Sequence, residues 1–513
     1  MSPNGGRAPC RARLSAVFAT AVLLAAAYIG RAVISSDGAE VIADSLGLMV
    51  TGRLEAATIP PASIDPFFPP SPPFRSRYGA FPSIALLPVL ALAWPFRGAL
   101  GARGLEAAVA LTWTCGAALA TWAFLRLGRA LRRDASALWA PAFLAGTFLW
   151  PYAADSFFEP LAAFGLAFAA ERILAGNETG PVRAALAAAA GVCGAAFLKP
   201  VLWVTAPVVI LGALLHWRDR LSARRFAVSL FGFLATGLAA ALLVNLTRHG
   251  RMGDFGYGYS ILPFVTPLAT GLLGLVLSPG RGLFLYAPLA FVALFAARRL
   301  TRAGLVLCLG VPLVLLLVSG RWYGWHGGSA WGPRYLLPAL PLLCAPAVLL
   351  PRKVTWPAVA AGVVVNVLGV LVAPGSWISW VECLPTPPGA VWPKAGPDRV
   401  SSIPALSPVY GHLWLLAGGD RSGALPAIWP APQGGPPPPN PEEFVSPWVL
   451  RRLLGLPPLP PLLPRLLART GAAYAYRHCP EPAMRFAEEA LRLDPQEEDA
   501  RAIIAARGRV ASD

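Results

Sequence analysis

Charge is scarce in this chain. Only 13% of its 513 residues are Asp, Glu, Lys or Arg, against 56% hydrophobic, a balance that excludes a water-soluble globule and reads as a membrane protein. Acids are scarcer still, 26 against 43 basic residues, for a net charge of +17. Among several apolar runs of about 20 residues, that excess reports cytoplasmic loops and argues against nucleic acid as a partner. The seven cysteines (Cys10, Cys115, Cys193, Cys308, Cys344, Cys383, Cys479) are scattered, with no C-x-x-C pair and no histidine at zinc spacing. A metal finger and a disulfide scaffold are both unindicated. No Gly-rich Walker segment and no dinucleotide fingerprint occur, so a nucleotide donor handled in the cytoplasm is not expected. Glycine and proline, by contrast, abound at 50 and 54 residues. They predict spans broken by kinks, re-entrant turns and long irregular loops, the backbone that a pore or a buried active site needs.

Arg7, Arg11 and Arg13 precede a first apolar run, Leu14 to Ile34, in the manner of a signal peptide. The run is about 20 residues long and no clear A-x-A cleavage site precedes Asp37, so it reads as an uncleaved span with residues 1–13 in the cytoplasm. Further runs at 104–125, 136–153, 157–174, 184–198, 201–216, 226–246, 282–297, 303–319, 334–350 and 355–373 complete about eleven spans. Two more, 81–96 and 261–278, would each reverse the orientation of every later span if counted alone as a crossing. Kept on the outer side as juxtamembrane or re-entrant pieces, they leave every cytoplasmic loop basic: Arg126, Arg129, Arg132 and Arg133; Arg172 and Arg183; Arg218, Arg220, Arg224 and Arg225; Arg298, Arg299 and Arg302; Arg352 and Lys353. Arg97 and Arg103 stand on the outer side as exceptions.

The expectation is an all-α membrane protein with outer juxtamembrane helices and a small, mostly irregular C-terminal region. Its divisions are a transmembrane domain over 14–374 with a first outer loop at 35–103, a Pro-rich region over 375–463, and a helical tail over 464–513. The Pro-rich stretches Gly434 to Pro441 and Leu456 to Pro464 read as linkers on the outer side. In the tail, Leu467, Gly471, Tyr474, Ala483, Ala490 and Pro495 occupy the small, aromatic and helix-stop positions of one tetratricopeptide repeat. One repeat cannot bury its own face. An amphipathic helix pair docked on a neighbour and a platform for a protein partner are the two readings.

Chemistry concentrates in the outer loops. The first opens "SSDGAEVIADSLGLMVTGRLE", where Asp37, Glu40 and Asp44 share one helical face just outside a span. They suit either a solvated first turn or a general base or metal-binding carboxylate at the mouth of a cavity. The turn "WPYAADSFFEPLAAF" sets Asp155 and Glu159 where the chain returns to the bilayer, as a helix cap or a functional acid. In "FLKPVLW", Lys199 ends a span directly before a proline, either snorkelling or pairing with a phosphate. "LSPGRGLFLYAP" exposes backbone amides beside Arg281, suited to an anionic group. "RWYGWHGGSAWGPRYLLPALPLL" gathers Trp322, Tyr323, Trp325 and Trp331 around His326, Arg334 and Tyr335, an interfacial belt or a holder of sugar and phosphate. Arg334 is the strongest single case, because it heads a span on the side where positive charge is disfavoured. Acids early and cations at later span ends are the division that glycosyl transfer from a lipid phosphate requires: a carboxylate deprotonates the acceptor hydroxyl and fixed cations stabilise the departing phosphate. A transporter or flippase of a lipid-linked glycan, and a non-catalytic scaffold in envelope assembly, are the alternatives. A transporter should carry its charges near mid-span in repeated halves, which this chain does not show.

The acid-bearing first loop, "RYGAFPSIALLPVL", "FFEPLAAF", "LKP" and "GPRYLLPALP" together resemble the multi-span GT-C glycosyltransferases, notably their protein O-mannosyltransferase and lipid A aminoarabinose transferase branch. The resemblance covers roughly residues 14 to 373, and "GLLGLVLSPGRGLFLYAP" and "WHGGSAWGPRYLLPALP" are its most specific segments. It implies a GT-C fold in a bacterial inner membrane and an inverting transferase using a polyprenyl-phosphate sugar at the periplasmic face, with a lipid, glycan or protein as acceptor. It also implies Asp37 as catalytic carboxylate with Glu40 beside it, Glu159 or Asp155 as the second-loop acid, and Lys199 and Arg334 as lipid-phosphate contacts. The family branch's Lys-Pro-Pro stretch is absent from the first loop, and its Asp-x-Pro-Leu is here Glu-Pro-Leu, which leaves Asp155 and Glu159 both open. No cofactor is required by these residues; a divalent metal among Asp37, Glu40 and Asp155 and metal-free base catalysis are both compatible with them.

Overall fold

The computed structural model describes residues 7–29, 36–51, 80–153, 155, 157–175, 180–217, 223–253, 264–328, 330–372, 377–378, 381, 401, 404, 407–416, 463–476 and 480–510. In chain order the helices are α1 (Arg7–Ile29), α2 (Ser36–Thr51), α3 (Ala80–Ala93), α4 (Arg97–Leu131), α5 (Trp139–Ala145), α6 (Leu149–Tyr152), α7 (Glu159–Ala175), α8 (Pro181–Leu198), α9 (Ala206–Trp217) and α10 (Ala223–His249). They continue with α11 (Leu268–Leu277), α12 (Leu283–Tyr286), α13 (Pro288–Leu294), α14 (Arg302–Leu305), α15 (Val311–Arg321), α16 (Leu340–Cys344), α17 (Arg352–Leu371), α18 (Pro408–Leu416), α19 (Leu463–Tyr476), α20 (Pro480–Leu493) and α21 (Glu498–Val510). The Pro-rich stretches at 434–441 and 456–462 and the first-loop segment 52–79 lie outside the described residues.

Among the described residues six helical stretches are long and apolar enough to cross a membrane: Ala80–Leu131, Pro181–Leu198, Pro200–Trp217, Ala223–Thr247, Arg302–Arg321 and Arg352–Leu371. Their outer surfaces are apolar where a soluble protein's would be polar; Val228, Phe231, Leu313 and Val364 are all exposed. The chain is thus a multi-pass membrane protein, helical throughout its regular elements among the described residues. Runs 81–96 and 104–125 fall in one helical stretch, broken between them at Gly101, whose φ of +61° and ψ of −176° are open to glycine alone. Three of the expected spans are strings of short pieces instead of continuous helices. Residues 136–153 divide into α5 and α6, 282–297 into α12 and α13 at Pro288, and 334–350 into a 3-10 turn, α16 and a second 3-10 turn. Pro338, Pro341 and Pro346 explain the last, since each removes an amide donor from the helical ladder. Such backbone is tolerated at membrane depth only when enclosed by protein, and residues 336–348 are buried without exception.

The chain forms two compact units. Unit 1 comprises residues 1–33, 114–238 and 263–457; unit 2 comprises 34–113, 239–262 and 458–513. In unit 1 the tightest pair is α7 against α8. Small residues make it so: Gly165 and Gly191 face each other so closely that a Cβ on either would lie 2.5 Å from the other's carbonyl oxygen. Ala169 and Ala195 line the same seam, both buried. The antiparallel packing sets the N-terminus of α7 beside the C-terminus of α8. In unit 2, α2 packs against α3, α19 and α20, and α19, α20 and α21 pack on one another.

Candidate functional site

Two helix ends and one loop of unit 1 build a charged site in an apolar setting. Glu159 opens α7, where the helix dipole favours a carboxylate, and its side chain is 1% exposed. Lys199 closes α8. The following Pro200 biases it to extended backbone (φ −140°, ψ 98°), its amide donates to Ala195 O at 2.9 Å, and the ammonium reaches Glu159 Oε1 to form an ion pair. Arg334 heads the 3-10 turn packed against α7, with Nε 3.5 Å from the same Glu159 oxygen. Its guanidinium carbon lies 4.5 Å from the Phe157 ring centroid and 5.0 Å from that of Tyr335, and Nη2 donates to the Tyr335 hydroxyl at 3.2 Å. Lys199 Nζ stands 5.3 Å from the Tyr335 ring centroid. Two cations are thus fixed by one buried carboxylate and two aromatic faces. Glu159 Oε2 is buried with no hydrogen-bond partner among the described residues.

Behind this cluster lies the loop 326–334. Arg281, fully buried, donates through Nη1 to Ala330 O and through Nη2 to Gly328 O, and its own amide donates to Ser278 Oγ at 2.9 Å. The Gly328 amide donates to His326 Nδ1 at 3.1 Å, which assigns the ring proton to Nε2. Burial above all, with the positive charges of Arg281 and Arg334, pushes the His326 imidazole down to about 3, so it is neutral. The Tyr152 hydroxyl donates to Trp331 O at 3.1 Å, and Trp331 Nε1 donates to Asn366 Oδ1 at 3.1 Å. Gly332 has φ +63° and sits where a Cβ would lie 2.9 Å from the Tyr286 ring, so the turn admits no side chain. Asp155, also buried, precedes the α7 end, its carbonyl accepting from the Phe157 amide at 2.9 Å.

The structure therefore brings Glu159, Lys199, Arg334 and Tyr335 into direct contact, with Asp155, Arg281 and His326 in the same unit. Of the two candidate acids, Glu159 forms an ion pair with Lys199, and Asp155 is buried just before it in sequence. Both terminal nitrogens of Arg281 donate to carbonyl oxygens within the protein, so that it staples Gly328 and Ala330 of the loop before Arg334. Asp37 and Glu40 lie on α2 in unit 2, and their side chains fall outside the described residues. Asp44, next along, is buried with Oδ2 3.4 Å from Ser83 Oγ. Among the described residues no group of three metal-ligating side chains occurs. Phe157 and Tyr152 belong to the site although the charge pattern did not single them out. Phe157 could have been found from its place two residues before Glu159; nothing local distinguishes Tyr152.

Lys199, Arg281 and Arg334 against Asp155 and Glu159 leave one positive charge in excess around a neutral histidine, a low-dielectric setting complementary to an anion. Two solved structures align with this chain. The apo ArnT of Cupriavidus metallidurans is 17% identical, with 72% of this chain and 65% of that chain covered and a TM-score of 0.46. The ArnT of Cupriavidus metallidurans bound to undecaprenyl phosphate is 15% identical, with 96% and 77% covered and a TM-score of 0.47. This chain therefore spans just under two thirds of the first structure's length. No protein-family model and no curated protein matches the sequence.

Proposed function

We propose that the protein is an inverting glycosyltransferase of GT-C type that moves a sugar from a polyprenyl-phosphate donor to a lipid, glycan or protein acceptor at the periplasmic face of the membrane. The observation that carries this reading is the pair of cations, Lys199 and Arg334, that meet on the buried carboxylate of Glu159 at the ends of apolar segments. A glycosyl phosphate breaks its C–O bond with negative charge growing on the phosphate. Preorganised cations in a dry setting stabilise that charge at little reorganisation cost. Lys199 and Arg334 take the phosphate in this reading, with Tyr335 and Phe157 holding the guanidinium flat and Arg281 keeping the loop of neutral His326 in shape. Asp37, assigned from the sequence alone, is the base that removes the acceptor's proton, with Glu40 beside it. The periplasmic orientation is likewise drawn from the basic cytoplasmic loops.

Mass spectrometry of lipid extracts from a strain lacking the protein tests the reading. A polyprenyl-phosphate sugar should accumulate, disappear on complementation with wild type, and persist with Asp37→Asn although that variant reaches the membrane in equal amount. Unchanged lipid-linked sugars in the deletion strain would remove the basis for the proposal.

A further inference from the structure

The repeat-like tail needs a cover for its apolar face. In unit 2 that cover is the chain's own α2, which packs against α19, α20 and α3. Residues 41–47 of α2 are buried all round, Val41, Ile42, Ala43 and Leu46 each 3% exposed or less, as expected of a helix enclosed by partners and not of one lying on a surface. The tail is itself well packed: Leu467, Phe486, Ala487 and Ala490 are buried, and a Cβ at Gly471 would meet Ala483 O at 3.0 Å and Ile503 Cδ1 at 3.3 Å. Two polar ties fasten it to the segment that follows α3. Arg97 forks onto Glu489 of α20, Nε to Oε2 at 3.0 Å and Nη2 to Oε1 at 2.9 Å, and the Leu463 amide donates to Glu106 Oε1 at 2.8 Å. The bidentate pair is four-fifths buried on both sides, which places it above an ordinary surface ion pair. It also accounts for Arg97, the outer-side exception to the charge rule: its counter-charge comes from the tail.

We infer that α19–α21 are a clamp in cis that fixes α2, the helix carrying Asp37 and Glu40, with Arg97 and Glu489 as its positioning pair. The occupant of the repeat-like surface is this chain's own helix, and the tail sets the orientation of that helix. The catalytic consequence rests on the reading of Asp37 as base; the mechanical one does not. A base moved by about 1 Å costs on the order of a hundredfold in rate, so loosening α2 lowers kcat while the donor-phosphate contacts, which lie in the other unit, hold KM.

Full-length wild type, Arg97→Glu, Glu489→Arg and the double exchange Arg97→Glu/Glu489→Arg, each in lipid nanodiscs, are compared by hydrogen exchange and by consumption of the lipid-linked sugar accumulated in the deletion strain. Each single reversal should speed exchange across residues 41–47 about tenfold or more, leave α7 and α8 unchanged, and lower kcat about tenfold with KM within about twofold; the double exchange should restore most of both. Single variants with wild-type exchange at 41–47, or a double variant as open as either single, would overturn the clamp. Wild type that consumes no donor would refute the transferase reading, while the exchange pattern would still decide the clamp.

Discussion

Removing the Lys199 ammonium is the sharpest perturbation of the charged site. Its side chain is 19% exposed and that of Glu159 1%, so Lys199→Ala strips the main counter-charge from a buried carboxylate. Arg334 remains with Nε 3.5 Å from Glu159 Oε1, a gross attraction of about 5 kcal/mol at an effective dielectric of about 20. The net charge of the site falls from one in excess to zero, and an incoming phosphate loses one charge-assisted hydrogen bond, about 1.5–3 kcal/mol, or roughly tenfold to a hundredfold in Kd. The assay is titration of the nanodisc-embedded protein with a short-chain polyprenyl phosphate and, separately, with the uncharged polyprenol at the same ionic strength. Phosphate affinity should drop by that factor and polyprenol affinity should not move. Equal phosphate affinity in wild type and variant, or an equal loss for both lipids, would refute the assignment of Lys199 to the phosphate.

Other consequences are testable by thermal unfolding in detergent. Gly165→Ala drives a methyl to 2.5 Å from the Gly191 carbonyl oxygen and should cost about 1–3 kcal/mol, whereas Gly194→Ala, with nothing within 4 Å, should be near neutral. Arg281→Lys cannot reproduce the fork onto Gly328 and Ala330 and should destabilise by about 1.5–3 kcal/mol per lost bond; a variant as stable as wild type would contradict the staple. His326 gives a pH dependence with a definite sign. The unfolded chain binds a proton below an ordinary value of 6.5 and the folded chain does not until about 3, so stability is full above 6.5 and falls as pH drops through that window. By pH 5 the loss is about 2 kcal/mol, and His326→Gln should remove it while the similarly depressed His412 keeps its own share. Equal acid sensitivity in wild type and His326→Gln would contradict this account.

The charged members of the site were legible one by one. Glu159, Lys199 and Arg334 interrupt apolar runs, and an ionisable group at membrane depth stands out because solvating it there is costly. Their convergence on one carboxylate oxygen was not legible, since whole helices separate them in sequence and the close packing of α7 on α8 is what sets those helix ends together. Arg281 shows the limit from the other side. Its charge was visible in the sequence, but its bonds to the Gly328 and Ala330 carbonyl oxygens were not, because they are made across nearly fifty residues. The abundance of proline foretold broken spans, and Pro338, Pro341 and Pro346 locate one, yet hydropathy averages over such breaks and scores 334–350 as continuous. The helices of the tail followed from its amphipathic pattern. Its occupant did not, because the partner is α2, distant in sequence and chosen by tertiary packing.

The central claim is that the site handles a sugar carried on a lipid phosphate. Its most direct test incubates purified wild-type protein with the polyprenyl-phosphate sugar from the deletion strain and an extract supplying the acceptor, and measures polyprenyl phosphate released over time. The account predicts release that depends on wild-type protein and is lost in Asp37→Asn while that variant still binds polyprenyl phosphate; donor left intact by wild type, or release undiminished in Asp37→Asn, would contradict it.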